Sequence, residues 1–127
     1  MRRIIATGLA ALTLGALASA PAWAGDDVLR RKGACSGSSE WEMRVRMTDA
    51  GTFRVRWDVD SGIVGESWNM SVDHDGTQIA SGTRLTNLAG EAEFRLRGVP
   101  NLAGTDTFTG HATNPATGET CQGSLTF

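Results

Sequence analysis

From Glu40 onward the chain keeps a period of two. Trp41, Met43, Val45 and Met47 alternate with Glu42, Arg44, Arg46 and Thr48. Successive side chains of an extended backbone point to opposite faces, so this alternation specifies a strand with one apolar and one charged face. Asp49-Ala50-Gly51 interrupts it with turn residues. Phe53, Val55, Trp57 and Val59 then alternate with Arg54, Arg56, Asp58 and Asp60. The two runs form a hairpin in which Met47 faces Phe53.

The same pattern predicts a third strand at about 66–73, with Trp68, Met70 and Val72 inward. A fourth lies at about 77–85, with Ile79 and Leu85 as its apolar residues. A fifth at 91–97 turns Ala92, Phe94 and Leu96 inward, and a sixth at 105–113 turns in Phe108, Gly110 and Ala112. The seventh, at 119–127, turns in Cys121, Gly123, Leu125 and Phe127. Turn residues separate them at His74-Asp75-Gly76, Asn87 to Gly90, Gly98 to Gly104 and Asn114 to Gly118. No stretch carries a helical period. The expected fold is all-β: a seven-stranded immunoglobulin-like antiparallel β-sandwich over 40–127, closed by one disulfide. In that layout the first, second and fifth strands share one sheet. The third, sixth and seventh form the other.

Residues 1–24 read differently. Arg2 and Arg3 precede an uncharged, mostly apolar run from Ile4 to Ala20, and Ala22-Trp23-Ala24 offers small residues to a signal peptidase. We expect a signal peptide cut after Ala24. A membrane anchor is the alternative, but the run is short and rich in Gly, Ala and Thr, and no later stop-transfer pattern supports it. The sequence therefore predicts a secreted, extracellular protein without a membrane span once the signal is removed. Residues 25–39, with Asp26-Asp27, Arg30-Arg31-Lys32 and Ser36-Gly37-Ser38-Ser39, read as a polar lead-in.

The chain has two cysteines, Cys35 and Cys121. In an exported protein they are expected to be joined. The usual immunoglobulin bridge pins the second strand to the sixth, whereas this one ties the lead-in to the seventh. If every connection reverses direction, both cysteines still lie at one end of the sandwich.

Net charge is −2 for the whole chain and −4 once Arg2 and Arg3 are removed. An acidic domain is a poor match for general nucleic-acid binding, which is not expected. Cys35-Ser36-Gly37-Ser38, Gly65-Glu66-Ser67-Trp68 and Thr117-Gly118-Glu119-Thr120-Cys121-Gln122-Gly123 together resemble a group of short exported proteins of high-GC Gram-positive bacteria. The resemblance spans most of residues 25–127. It implies a β-sandwich and an extracellular location, and carries no activity.

Catalytic constellations are weak. His74 and His111 are the two histidines. His74 is expected in a solvated turn and His111 on the outward face of its strand. No nucleophile elbow or zinc-protease motif accompanies them. Asp58-Val59-Asp60-Ser61-Gly62 and Asp73-His74-Asp75-Gly76 open like calcium loops, but each lacks the further oxygen ligands and the closing glutamate. No enzyme activity, cofactor or metal is expected.

The surfaces are more informative. The first turn sets Arg46 opposite Arg54, Arg44 opposite Arg56 and Glu42 opposite Asp58, although like charges directly opposite are destabilising. Glu91, Glu93, Arg95 and Arg97 on the fifth strand extend the segregation. One sheet would then carry Arg44, Arg46, Arg54, Arg56, Arg95 and Arg97 toward one end. Glu40, Glu42, Asp58, Asp60, Glu91 and Glu93 would lie toward the other. Diagonal ion pairs and salt screening are the ordinary account of such a face; a site for an anionic group is the sharper one.

The other sheet would present hydroxyls and amides from Ser67, Asn69, Ser71, Thr107, Thr109, His111, Thr113, Thr120, Gln122, Ser124 and Thr126. That face suits a glycan or protein contact, or reflects only the strand preference of threonine. Ser61-Gly62-Ile63-Val64-Gly65 is an apolar loop that either caps the core or makes a contact. Together these features predict a monomeric, non-catalytic binding or surface-interaction module for an extracellular protein or glycan. The alternative is a secreted inhibitor of an extracellular protease, acting through the 61–65 loop.

Overall fold

The structure is a computed structural model, described for residues 28–127; the signal-peptide expectation lies outside that range. Eight strands run β1 (Val28–Ala34), β2 (Glu40–Met47), β3 (Thr52–Asp60), β4 (Ser67–His74), β5 (Thr77–Leu85), β6 (Glu91–Pro100), β7 (Thr107–Thr113) and β8 (Thr120–Thr126). They form two antiparallel four-stranded sheets, ordered β1-β2-β3-β6 and β5-β4-β7-β8. The expected partition of strands holds, and β5, which that expectation left unplaced, pairs with β4. Because every connection reverses direction, the loops at 35–39, 61–66, 86–90 and 114–119 share one end of the sandwich.

Three boundaries differ from the sequence reading. The lead-in is not a separate segment, because Val28–Ala34 pairs along β2 as an edge strand. Its side chains are mostly exposed, so its own sequence carries no period of two; the backbone ladder alone makes it a strand. Arg30, Arg31 and Lys32 also place charge on that open edge, a common defence against further pairing. At the other edge of the same sheet, β6 continues to Pro100 through a bulge opposite Arg54, where the register shifts between Phe53 and Val55. In β5 the apolar residues Ile79 and Leu85 stay exposed, while Ala80 packs on the core.

The β4–β5 hairpin has a two-residue turn, Asp75-Gly76, with φ of 50° and 86°. Positive φ at both positions matches the right-handed twist of the flanking strands and favours an Asp-Gly pair.

The core is made by the inward phase of both sheets. Trp41, Trp57 and Trp68 are all buried, as their phase predicted. Trp41 and Trp57 pack at 5.7 Å between ring centroids. Phe53 meets Phe108 at 5.4 Å and Phe127 at 5.0 Å, both edge to face. Glycines make room for the indoles: a Cβ at Gly110 would enter the Trp57 ring, and one at Gly33 or Gly123 the Trp41 ring. The Trp57 indole also donates to the His111 carbonyl at 3.1 Å, which ties the two sheets together.

Cys35 and Cys121 are joined. The bridge closes an 86-residue separation, for which the chain-entropy model gives about 4.5 kcal/mol. Glu119 locks the adjoining loop by accepting from the Gly37 and Ser39 amides and the Ser39 hydroxyl. The Thr120 amide donates to Ser36 Oγ. Two segments far apart in sequence thus become one clasp at the loop end.

Candidate functional site

The in-register pairing of β2 with β3 sets Arg46 opposite Arg54, Arg44 opposite Arg56 and Glu42 opposite Asp58. Pairing of β3 with β6 adds Arg95 beside Arg56 and Glu93 beside Asp58. The edge strand, absent from the sequence expectation, adds Arg30 opposite Arg44 and Lys32 opposite Glu42. The outer face of this sheet therefore carries straight rows across its strands. One row is Arg30, Arg44, Arg56 and Arg95, and the next toward the loop end is Lys32, Glu42, Asp58 and Glu93.

The acids of the second row pair with the arginines of the first. Arg56 lies 2.8 Å from Asp58 and 3.0 Å from Glu93, Arg95 lies 2.9 Å from Glu93, and Arg30 lies 3.0 Å from Glu42. Arg44 reaches Glu42 more loosely at 3.6 Å. Ordinary ion pairing, along the strands as well as diagonally between them, thus accounts for these two rows.

It does not account for the rest. Arg46 and Arg54 face each other, and Arg97 stands beside Arg54 in the bulge. All three are exposed, and among the described residues none has an ion-pair partner. Both arginine rows line one open groove of about 370 Å³, with Val28, Val55 and Leu96 as its apolar lining. Arg44 adds a buried Nε with no hydrogen-bond acceptor, an unusual deficit for a guanidinium donor. All six arginines expected from the sequence meet here, and Arg30 is the seventh. The charged run Arg30-Arg31-Lys32 was the signal for it, but without a period of two nothing linked it to the sheet.

Among the described residues Asp58 is the one strongly perturbed acid. Burial pushes its carboxyl up to about 6. The Arg56 guanidinium opposes the shift, while Glu93 and Glu42 on either side reinforce it.

The hydroxyl face is also present on the second sheet, and about half of it bonds within itself. Thr107 bonds Thr126 at 2.9 Å, Thr109 bonds Ser124 at 3.0 Å, Thr83 donates to Asn69 at 2.8 Å, and His111 lies 3.3 Å from Asp73. His74 departs from expectation. It closes β4 inside the core, stacked on Phe108 at 4.4 Å, with Nε2 at 2.7 Å from Asp106 Oδ1. The turn begins one residue later than the Asp-His-Asp-Gly string suggests, so the histidine falls on the inward phase. Asp75 completes a cluster with these two, but its carboxylate accepts from the Thr107 amide and Asp106 accepts from the Leu102 amide. The cluster is a structural clamp.

The 61–65 loop does not cap the core. Ile63 and Val64 are 56% and 55% exposed. Hydrogen bonds hold the loop to 86–90: Gly62 and Ser61 donate to the Gly90 carbonyl, Gly65 donates to the Thr86 carbonyl, and Thr86 Oγ donates to the Ile63 carbonyl. Leu85 and Leu88 are exposed beside it. No described helix is long and apolar enough to cross a membrane. Compared with known proteins, the chain matches no family model, no curated protein and no solved structure.

Proposed function

We propose that this chain is an exported, non-catalytic binding module whose arginine groove takes an anionic group on an extracellular partner. The observation that carries the reading is the row Arg46, Arg54 and Arg97, three exposed guanidiniums with no ion-pair partner among the described residues, beside a row whose arginines are paired with acids. Placing like charges side by side on a sheet costs stability, and an anion across them relieves that repulsion. Guanidinium forks suit carboxylate, sulfate and phosphate oxygens. Export is supported by the pattern of residues 1–24 and by the Cys35–Cys121 bridge, which persists in oxidising surroundings.

The test is binding of dextran sulfate by titration calorimetry at low and at physiological ionic strength. Wild type binds, and salt weakens the binding because exposed charges are screened. Arg54→Glu with Arg97→Glu abolishes it while leaving the fold intact by circular dichroism. No binding at low salt refutes the proposal.

A second reading rests on the exposed, hydrogen-bonded Ile63-Val64 loop. A rigid convex apolar loop loses little entropy on entering a cleft, as an inhibitor of an extracellular protease requires. Near-stoichiometric inhibition of a panel of extracellular proteases, lost in Ile63→Ser with Val64→Ser, is its signature.

A further inference from the structure

The geometry of the free arginines is more specific than a positive patch. Arg46, Arg54 and Arg97 sit on three neighbouring strands, β2, β3 and β6, with Arg46 directly opposite Arg54 and Arg97 beside Arg54 across the bulge. The line they define therefore runs across the strands, and its repeat is the strand spacing of about 4.8 Å. The parallel row Arg30, Arg44, Arg56 and Arg95 is held by its acids. It acts as a wall that confines the free charge to one line. Val28 lies opposite Arg46 at the β1 end of that line and is exposed there, whereas Val55 and Leu96 pack toward the core.

A compact anion in this groove meets one or two guanidiniums. A linear chain of uronate units meets more of the row: successive units of an extended chain face opposite sides, so alternate carboxylates face the sheet, two strand spacings or about 9.6 Å apart, which sets them over Arg46 and Arg97. The exposed Val28 side chain suits the C–H face of a sugar ring at that end. Nucleic acid fits less well, because no aromatic side chain lines the groove to stack a base.

We infer that the free arginine row binds an unbranched acidic glycan of the polyuronate type, lying across β2, β3 and β6 with the carboxylates of alternate units on Arg46 and Arg97 and the unit between them over Arg54. This rests on the groove reading given above and names its ligand class.

The experiment is a length series of oligogalacturonates, from one to six units, titrated calorimetrically at low ionic strength beside dextran sulfate. Affinity rises steeply to about three units, the span of three strands, and then levels. Arg46→Gln, Arg54→Gln and Arg97→Gln combined lose about tenfold, the equivalent of two exposed ion pairs. Arg31→Gln, an exposed arginine outside the groove, changes nothing. Affinity that climbs in proportion to length with no plateau overturns the inference, as does binding untouched by the triple change. Dextran sulfate binding at the groove without oligogalacturonate binding refutes the ligand class and leaves the groove reading standing. If neither binds, both fall.

Discussion

Asp58 shows how one residue couples the core to the charged face. Its carboxyl is nearly buried, lies between Glu42 and Glu93 in the same row, and has Arg56 as its partner. Burial raises its pKa to about 6 from an ordinary 3.8. A raised acid binds its proton more tightly in the folded state, so the stability it contributes is fully present below 3.8 and is lost as pH rises through about 6. At 1.36 kcal/mol per pKa unit the total is at most about 3 kcal/mol. Asp58→Asn removes that loss. Urea unfolding at pH 4 and pH 7 should show the variant gaining on wild type at the higher pH, and an equal difference at both would contradict the assignment. Gly110 is the second residue that decides much. It lies on the inward phase with no side chain of its own, because the Trp57 ring occupies the space. Gly110→Ala should cost roughly 1–3 kcal/mol by overpacking in the same unfolding measurement. The indoles were legible from phase alone, but the glycines opposite them were not, since a glycine in a strand does not say which neighbour it admits. His74 was misread because a turn motif says nothing about the phase of its first residue.

At the level of elements, strands with one wet and one dry face were legible, and edge strands were not. The β2–β3 register follows from alternation and a short turn, down to Met47 opposite Phe53. β1 has no such pattern and exists because β2 offers it a ladder. β5 likewise exposes Ile79 and Leu85, so its apolar residues gave little guidance. The candidate site shares this division. Its β2, β3 and β6 arginines could be placed from alternation, whereas Arg30 needed the edge pairing. The clasp joining the 35–39 loop to β8 makes the strongest stability prediction among the elements. Cys35→Ala with Cys121→Ala should cost about 2–5 kcal/mol, read as a lower urea midpoint. An unchanged midpoint would mean that the Glu119 hydrogen bonds alone hold the loop end.

For the whole molecule, the sandwich separates three surfaces: an arginine groove on one sheet, a partly self-bonded hydroxyl face on the other, and an apolar loop pair at the disulfide end. A net negative chain with one concentrated line of free guanidiniums has a local field opposite in sign to its total charge. The fold makes that line by laying three strands side by side, with the bulge bringing Arg97 next to Arg54. The most direct measurement is a two-dimensional NMR titration of the arginine side-chain and backbone amides with trigalacturonate at low salt. The account predicts shifts concentrated at Arg46, Arg54, Arg97 and their strand neighbours, with the Ser71, His111 and Gln122 row of the other sheet unmoved. Shifts centred on that hydroxyl row, or spread evenly over all arginines, would contradict it.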